Sequence, residues 1–307
     1  MNLRALRYFI TLADTRHFSK AAAACFVSQP TLSTQIKKLE DELGVQLVER
    51  APRRVMLTPI GEEIAGRARS VLRDIEEIRM LSKRSRDPAA GTVRIGIFPT
   101  LAPYLLPHVL GNIRAAYPKL KIQLLEEKTN DVLRMLQQGQ IDVGLLALPI
   151  TNDNLEVVTL FEEPFLLAMP NNHPLTDKPS IKVDDLSDQE LLLLEDGHCL
   201  RDQALEVCKL AGAHERMDFH ASSMETLRQM VATEAGITLM PTLAVQPPVA
   251  ATPNLTLRHF DEKPRPTRTI GACWRRSSAL REFLHEMAPL FAQLPPGILE
   301  YQESDAA

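Results

Sequence analysis

Ser28-Gln-Pro-Thr-Leu-Ser-Thr-Gln-Ile-Lys-Lys-Leu-Glu-Asp-Glu-Leu-Gly44 carries the marks of one helix at both of its ends. Ser28 is a good N-cap, since its hydroxyl can accept from an orphaned amide, and Pro30 falls in the first turn, where its missing N–H is harmless. Leu32, Ile36, Leu39 and Leu43 repeat at helical spacing, and Gly44 ends the run. Upstream, Leu3, Leu6, Phe9, Ile10 and Ala13 form one apolar helical stripe, followed by a short helix expected from about Phe18 to Cys25. Short helices and a tight turn leading into a helix whose first exposed turns carry Gln29, Pro30, Thr31, Ser33, Thr34 and Gln35 describe a helix-turn-helix. Gln and Ser/Thr side chains there can meet base edges in the major groove, and Lys37 and Lys38 can reach phosphates. Pattern alone also fits a small helical bundle with a polar face.

Downstream, Val48-Glu-Arg-Ala-Pro-Arg-Arg-Val-Met-Leu57 reads as two short strands about a basic turn. This is a wing, with Arg53 and Arg54 placed for phosphate or minor-groove contact and Arg50 either joining them or pairing with a carboxylate of the head. Thr58 then caps a long helix in which Ile60, Ile64, Ala68, Val71, Ile75 and Ile78 follow coiled-coil spacing, so dimerisation through this linker is expected. The helix is expected to fail near Asp87-Pro88, with Ala89-Ala90-Gly91 as a hinge.

The net charge of −4 hides an asymmetry: residues 1–86 carry +6 and the remainder −10. A basic piece on an acidic body suits a DNA-binding head on a sensor. With 307 residues, 45% hydrophobic and 24% charged, the chain has room for two or three ordinary globular domains. No apolar run approaches the ~18 residues of a membrane helix, and Arg4, Arg7 and Asp14 argue against a signal peptide, so a cytoplasmic protein without membrane contact is expected.

After the hinge, Val93, Ile95 and Ile97 alternate as a strand, Thr100 follows its carboxyl end, and a helix runs to about Tyr117. The unit repeats with a strand from Ile122 to Glu126 ending near Thr129, a helix from Asp131 to Gln137, and a strand from Ile141 to Leu148. Alternation of this kind implies an α/β fold with a parallel core sheet, whose ligands gather at the carboxyl ends of strands, where Thr100 and Thr129 fall. Beyond Phe161 a second lobe is expected, with a helix Ser223 to Thr233, a strand Ile237 to Met240, Arg268 preceding a strand Thr269 to Trp274, and a helix Ala279 to Leu294. No catalytic triad, Gly-rich phosphate loop or metal-ligand spacing is present, so neither an enzyme nor a cofactor is expected.

Cys199 and Cys208 lie in Leu193-Leu-Glu-Asp-Gly-His-Cys-Leu-Arg-Asp-Gln-Ala-Leu-Glu-Val-Cys208. Asp196 and Gly197 break an apolar run, and the helical pattern that follows puts Cys199 in or just before a first turn, where free amides, His198 and Arg201 should lower its pKa. Cys208, nine positions on, is about 13 Å further along a continuous helix and on its opposite face. A disulfide needs Cα atoms within about 7 Å, so bonding the pair requires the helix to unwind. Spacing alone leaves open whether this is a switch or two ordinary buried thiols. Cys25 and Cys273 look structural.

The run LEDGHCLRDQA (Leu194 to Ala204), with a Cys nine positions after the first and AGA soon after, resembles the redox segment of the peroxide-sensing LysR-type transcriptional regulators. The similarity extends from Met1 to about Arg281 through VSQPTLS-QI-KLEDELGV, PYLLPH and METLRQMVA-EAGITLMP. It implies an α+β multi-domain chain: a winged helix-turn-helix head over 1–58, a linker helix and hinge over 59–90, and a two-lobed α/β, periplasmic-binding-protein-like regulatory domain over 91–301. Lobe I would take about 91–162 and 268–301 and lobe II about 163–267, leaving 302–307 as a disordered tail. The resemblance further implies a repressor or activator switched by hydrogen peroxide, with Cys199 oxidised to sulfenic acid and Cys208 resolving it to a reversible disulfide. Thr100, Thr129, His198 and Arg268 would form the peroxide pocket, with Arg265 a possible substitute for Arg268. Partners would be double-stranded promoter DNA, further copies in a homodimer or homotetramer, RNA polymerase and a resetting thiol reductant. The competing readings are a LysR-type regulator binding a small metabolite between its lobes, and a thiol peroxidase.

Overall fold

The computed structural model describes residues 2–51, 54–84, 91–187 and 189–300; the side chains at 50, 51, 54, 76, 77, 79–84, 208, 210, 217, 218 and 220 are likewise outside the description. It divides into two compact units, Met1–Arg86 and Asp87–Ala307.

In the first unit, α1 (Leu3–Thr15), α2 (Phe18–Ala24) and α3 (Gln29–Leu43) precede an antiparallel hairpin of β1 (Val48–Ala51) and β2 (Arg54–Leu57), then α4 (Pro59–Arg84). The α3 ends are closed as its residues dictate: the Ser28 hydroxyl accepts from Thr31 N at 3.3 Å, and Gly44 is left-handed with φ 70°. At the start of α4, the Thr58 hydroxyl accepts from Gly61 N at 3.0 Å and donates to Gln46 O at 2.7 Å. Phe9, Leu12, Leu32, Ile36, Leu39 and Leu47 fill one core. This is a winged helix-turn-helix.

The stripe along α4 is divided between packed and exposed positions, where the heptad reading gave it a single face. Ala65 and Ala68 are buried in the head's own core and Ile64 packs against it, while Ile60, Val71 and Ile78 are exposed. The expected break at Asp87-Pro88 and the hinge over 89–90 lie outside the described residues.

In the second unit, β3 (Gly91–Ile97) runs parallel between β4 (Leu120–Glu126) and β5 (Val143–Leu148), with α5 (Ala102–Ala116) and α6 (Thr129–Gln137) as crossovers. Beyond β5 the sheet is antiparallel: β11 (Thr267–Arg275) pairs with β5, and β6 (Leu155–Pro170) pairs with β11. The core sheet is therefore mixed, because β11 returns from the far end of the chain instead of through a helical crossover. β6 is long enough to enter the second lobe, where its last residues pair with β9 (Thr238–Pro241) and β10 (Leu255–His259). There β7 (Glu190–Leu194) leads into α7 (Cys199–Ala211), which returns through β8 (His214–Ala221), parallel to β7; α8 (Met224–Ala232) follows. Arg268 stands inside β11 instead of preceding it, and the expected last helix is α9 (Arg281–Met287) followed by a 3-10 turn Ala288–Ala292.

Candidate functional site

β7 is apolar because both of its faces are covered: Leu191 to Leu194 are all buried. Its continuation must turn to start α7, and Gly197 makes that turn with φ 89°, a conformation that side chains resist. His198 follows, and Cys199 is the first residue of α7. The other lobe brings two hydroxyls. Thr100 lies in the turn between β3 and α5, and Thr129 opens α6.

These segments converge on one sulfur. The hydroxyls of Thr129 and Thr100, the backbone N–H of Leu200 and the charge of Arg268 all favour the Cys199 thiolate. Burial opposes them and is the larger effect, so the thiol lies above its ordinary value. The lowered pKa expected from the sequence is thus corrected, for two reasons beyond burial. Arg201 is spent elsewhere, donating to Glu215 Oε2 at 2.8 Å and Leu194 O at 3.3 Å, with Asp196 Oδ1 2.9 Å away. His198 is buried, and desolvation with the nearby Lys128 charge lowers its pKa against the pull of Glu195. It is therefore a neutral imidazole at neutral pH and adds no cation.

Arg268 is fully buried and is held on three sides. Its Nε donates to Glu163 Oε2 at 2.8 Å, Nη1 to the Thr100 hydroxyl at 3.3 Å and Nη2 to Thr100 O at 3.1 Å, while the guanidinium carbon lies 5.4 Å from the Phe98 ring centre. The Thr129 hydroxyl is buried, faces the sulfur and has no nitrogen or oxygen partner. A cleft of about 450 Å³ opens beside Thr100 and His198, walled by Pro99, Tyr104, Met224 and Arg228. Arg265, the alternative to Arg268, lines another cavity, of about 480 Å³, with Gln203, Glu206 and Glu262, and Arg268 borders that cavity too.

Of the pocket residues read from sequence, Thr100, Thr129 and Arg268 meet at Cys199, and His198 lines the cleft without being among the groups that act on the sulfur. Cys208 belongs to the same unbroken helix α7, but its side chain lies outside the description. Cys273 is buried in β11 and its thiol is pushed up to about 12 by burial. Sequence reasoning missed Glu163, Phe98 and Lys128. Only Lys128 carried a signal, as the neighbour of Thr129.

On the head, Gln29, Pro30, Thr31, Thr34, Lys37 and Lys38 are exposed on α3, and Ser33 and Gln35 are half-buried. The Gln29 side-chain oxygen accepts from the Ser19 hydroxyl at 2.9 Å. Arg53 lies outside the described residues, as do the side chains of Arg50 and Arg54. Among the described residues no helix is long and apolar enough to cross a membrane, and no group of His, Cys, Asp and Glu is arranged to hold a metal.

Residues 3–62 match the family model of bacterial regulatory helix-turn-helix proteins of the lysR family, and residues 86–292 match the LysR substrate binding domain. Over 288 residues, 94% of each chain, the sequence is 44% identical to the DNA-binding transcriptional dual regulator OxyR of Escherichia coli K12. It is 40% identical over 302 residues to the hydrogen peroxide-inducible genes activator of Haemophilus influenzae, covering 98% of this chain and 99% of that one. Full-length OxyR C199D from Pseudomonas aeruginosa superimposes with a TM-score of 0.77 at 38% identity, covering 96% of this chain and 99% of that one. The chain therefore belongs to the LysR family of bacterial transcriptional regulators, and is an OxyR-like member of it.

Proposed function

We propose that this protein is a cytoplasmic transcription factor that senses hydrogen peroxide through Cys199 and controls oxidative-stress defence genes. The observation that carries the reading is the convergence on one half-buried sulfur of Arg268, Thr100, Thr129 and the Leu200 amide in the first turn of α7, drawn from both lobes. Arg268 and the two hydroxyls favour the thiolate and would orient the peroxide, and the cation would offset the charge of the departing hydroxide. His198, neutral, would shape the entrance. The first step is Cys199–SH + H2O2 → Cys199–SOH + H2O, with the thiol proton ending on the leaving hydroxide. In the second, the Cys208 thiol attacks the sulfenic sulfur: the S–S bond forms as the S–O bond breaks, and the thiol proton leaves with the sulfenic oxygen as water. A thiol reductant returns two electrons to reset the switch.

The head over 1–58 would read promoter DNA through Gln29, Pro30, Thr31, Ser33, Thr34 and Gln35, with Lys37, Lys38, Arg50, Arg53 and Arg54 on phosphates. The linker over 59–90 would join copies into a homodimer or homotetramer, and the sensor over 91–301 would change how that assembly presents itself to RNA polymerase. One peroxide is consumed per switching event, so the protein would be a regulator and not an enzyme.

The test is one equivalent of hydrogen peroxide on the reduced full chain, with dimedone trapping in Cys208→Ser and footprints of both redox forms on one promoter. Cys199 should take the dimedone, wild type should give the Cys199–Cys208 disulfide, and the footprint should change. A Cys199 no more reactive than Cys25 or Cys273 would overturn peroxide sensing in favour of a metabolite-responsive regulator. Continued turnover of excess peroxide would favour a thiol peroxidase.

A further inference from the structure

Lys128 stands where elementary electrostatics disfavours it. It immediately precedes Thr129, the first residue of α6, and its carbonyl accepts from Asp131 N at 2.9 Å and Val132 N at 3.0 Å. A cation at a helix N-terminus faces the positive end of the helix dipole. Its side chain does not cap the helix but crosses to the other lobe. There Nζ donates to Glu195 Oε1 at 2.8 Å and to Asp196 O at 2.9 Å. The stem lies along Gly197, so closely that a Cβ at that position would come 3.1 Å from Lys128 Cδ. Gly197 therefore has two reasons to be glycine: its φ of 89° and the lysine packed over it.

We infer that Lys128 is a positioning residue for the Cys199 centre, acting as a clasp between the segment that presents Thr129 and the segment that presents Cys199. The inference rests on the peroxide-sensing reading for its consequence, though not for its geometry. One ammonium fixes Glu195 and Asp196, four and three residues ahead of Cys199, against the residue adjoining Thr129. The same charge adds to burial, the larger cause, in lowering the pKa of His198, and it holds the Glu195 carboxyl below its ordinary range. Because α7 has to open before Cys199 can reach Cys208, the loop in front of it has to be free to move. The clasp opposes that movement, so it sets how readily oxidised Cys199 proceeds to the disulfide. The lysine and glutamate side chains are 36% and 45% exposed, so the pair is partly screened by solvent and its effect is modest and salt-sensitive.

The experiment compares full-length wild type, Lys128→Ala, Lys128→Arg and Glu195→Gln at low and high salt. It reads the alkylation rate of Cys199 by iodoacetamide and the rate of disulfide closure after one equivalent of peroxide, with circular dichroism as the check on folding. Lys128→Ala and Glu195→Gln should raise both rates about two- to fivefold at low salt, the size expected for losing a partly exposed pair. Lys128→Arg should stay near wild type, and high salt should bring wild type toward Lys128→Ala. If wild type closes its disulfide normally and Lys128→Ala matches it in both rates, the clasp is wrong and peroxide sensing stands. The clasp is also wrong if folded Lys128→Arg behaves like Lys128→Ala. If Lys128→Ala speeds alkylation while peroxide leaves wild-type Cys199 untouched, the clasp stands and the sensing reading falls. Should Lys128→Ala not fold, Glu195→Gln carries the same comparison from the other end of the pair.

Discussion

Arg268 and Glu163 are register partners on β11 and β6, and their side chains meet as a wholly buried ion pair at 2.8 Å. The pair sits where β6 runs from one lobe into the other. The second oxygen of Glu163 accepts from Leu243 N at 2.8 Å, across in the second lobe, while Arg268 reaches Thr100 in the first. A buried guanidinium is costly unless its charge is matched and its donors are used, and here both conditions are met. The arginine that acts on Cys199 is thus fixed by a carboxylate that never touches the sulfur.

The two ends of this pair should give opposite effects on Cys199. Arg268→Ala removes the cation, so the thiol pKa rises further and iodoacetamide alkylation near neutral pH slows. Glu163→Gln leaves the cation without its counter-charge, so the thiol pKa falls and alkylation quickens. Both variants should unfold more easily, by roughly 3–5 kcal/mol for the alanine change, since each leaves a buried charge unpaired. Alkylation against pH with thermal unfolding checks this; equal shifts in one direction would detach Glu163 from the sulfur.

Alkaline pH should reveal the buried thiols. Cys273 is raised from 9.0 to about 12, so its contribution to stability is complete below about pH 9 and is lost as pH rises through about 12. Cys199 is raised in the same direction and adds to the same limb. Unfolding by urea between pH 8 and 11 should show stability falling with pH, and Cys273→Ala should flatten much of that slope. A slope unchanged in Cys273→Ala would assign it to other groups.

For the linker, the division along α4 decides which substitutions are informative. Charges at exposed Val71 and Ile78 should turn the full chain from dimer or tetramer toward monomer without unfolding the head, whereas Ile64→Asp should unfold it, since Ile64 packs on the head core. Sedimentation and circular dichroism of Val71→Asp/Ile78→Asp distinguish the two. A mass unchanged by the double substitution would remove the α4 seam from the assembly.

On DNA, Lys37→Ala with Lys38→Ala should weaken specific and random duplexes alike and reduce the slope of log K against log salt by about 2. Gln29→Ala should mainly erode discrimination, and Ser19→Ala should share part of that loss because the Ser19 hydroxyl orients the Gln29 amide. Competition titrations at several salt concentrations separate these outcomes.

Local signals explain which parts of this architecture the sequence disclosed. The head was legible because Ser28, Pro30 and Gly44 mark helix ends by chemistry that acts within a few residues. The start of α7 was legible for the same reason, from Asp196 and Gly197. The long strand β6 was not, since Glu162, Glu163 and Pro164 interrupt its apolar pattern, and Glu163 is explained only by Arg268, distant in sequence and adjacent in the sheet. The same blindness misjudged Cys199. A helix N-terminus and two neighbouring basic residues suggest a low pKa, but Arg201 is claimed by Glu215, and burial outweighs the rest. The division along α4 was hidden because positions packed on the helix's own domain and positions left exposed follow the same period.

The switch itself makes the most demanding prediction, because α7 runs unbroken from Cys199 to Ala211. Nine residues of helix separate the two cysteines by about 13 Å, roughly twice the Cα separation a disulfide tolerates. Closure must therefore dismantle most of the first three turns. Opening them exposes Leu200, Ala204 and Val207, which are buried, and pulls Arg201 from Glu215 and Leu194 O. Against that loss stands the new covalent bond. Amide exchange between residues 199 and 211 should rise at least tenfold on oxidation, return with a dithiol reductant, and stay at the reduced level in Cys199→Ser under the same peroxide. Glu215→Gln, which loosens the anchor of the first turn, should raise exchange there even without peroxide. A Cys199–Cys208 bond proven by mass spectrometry, but formed with exchange across α7 unchanged, would show that the helix seen here is not what oxidation remodels.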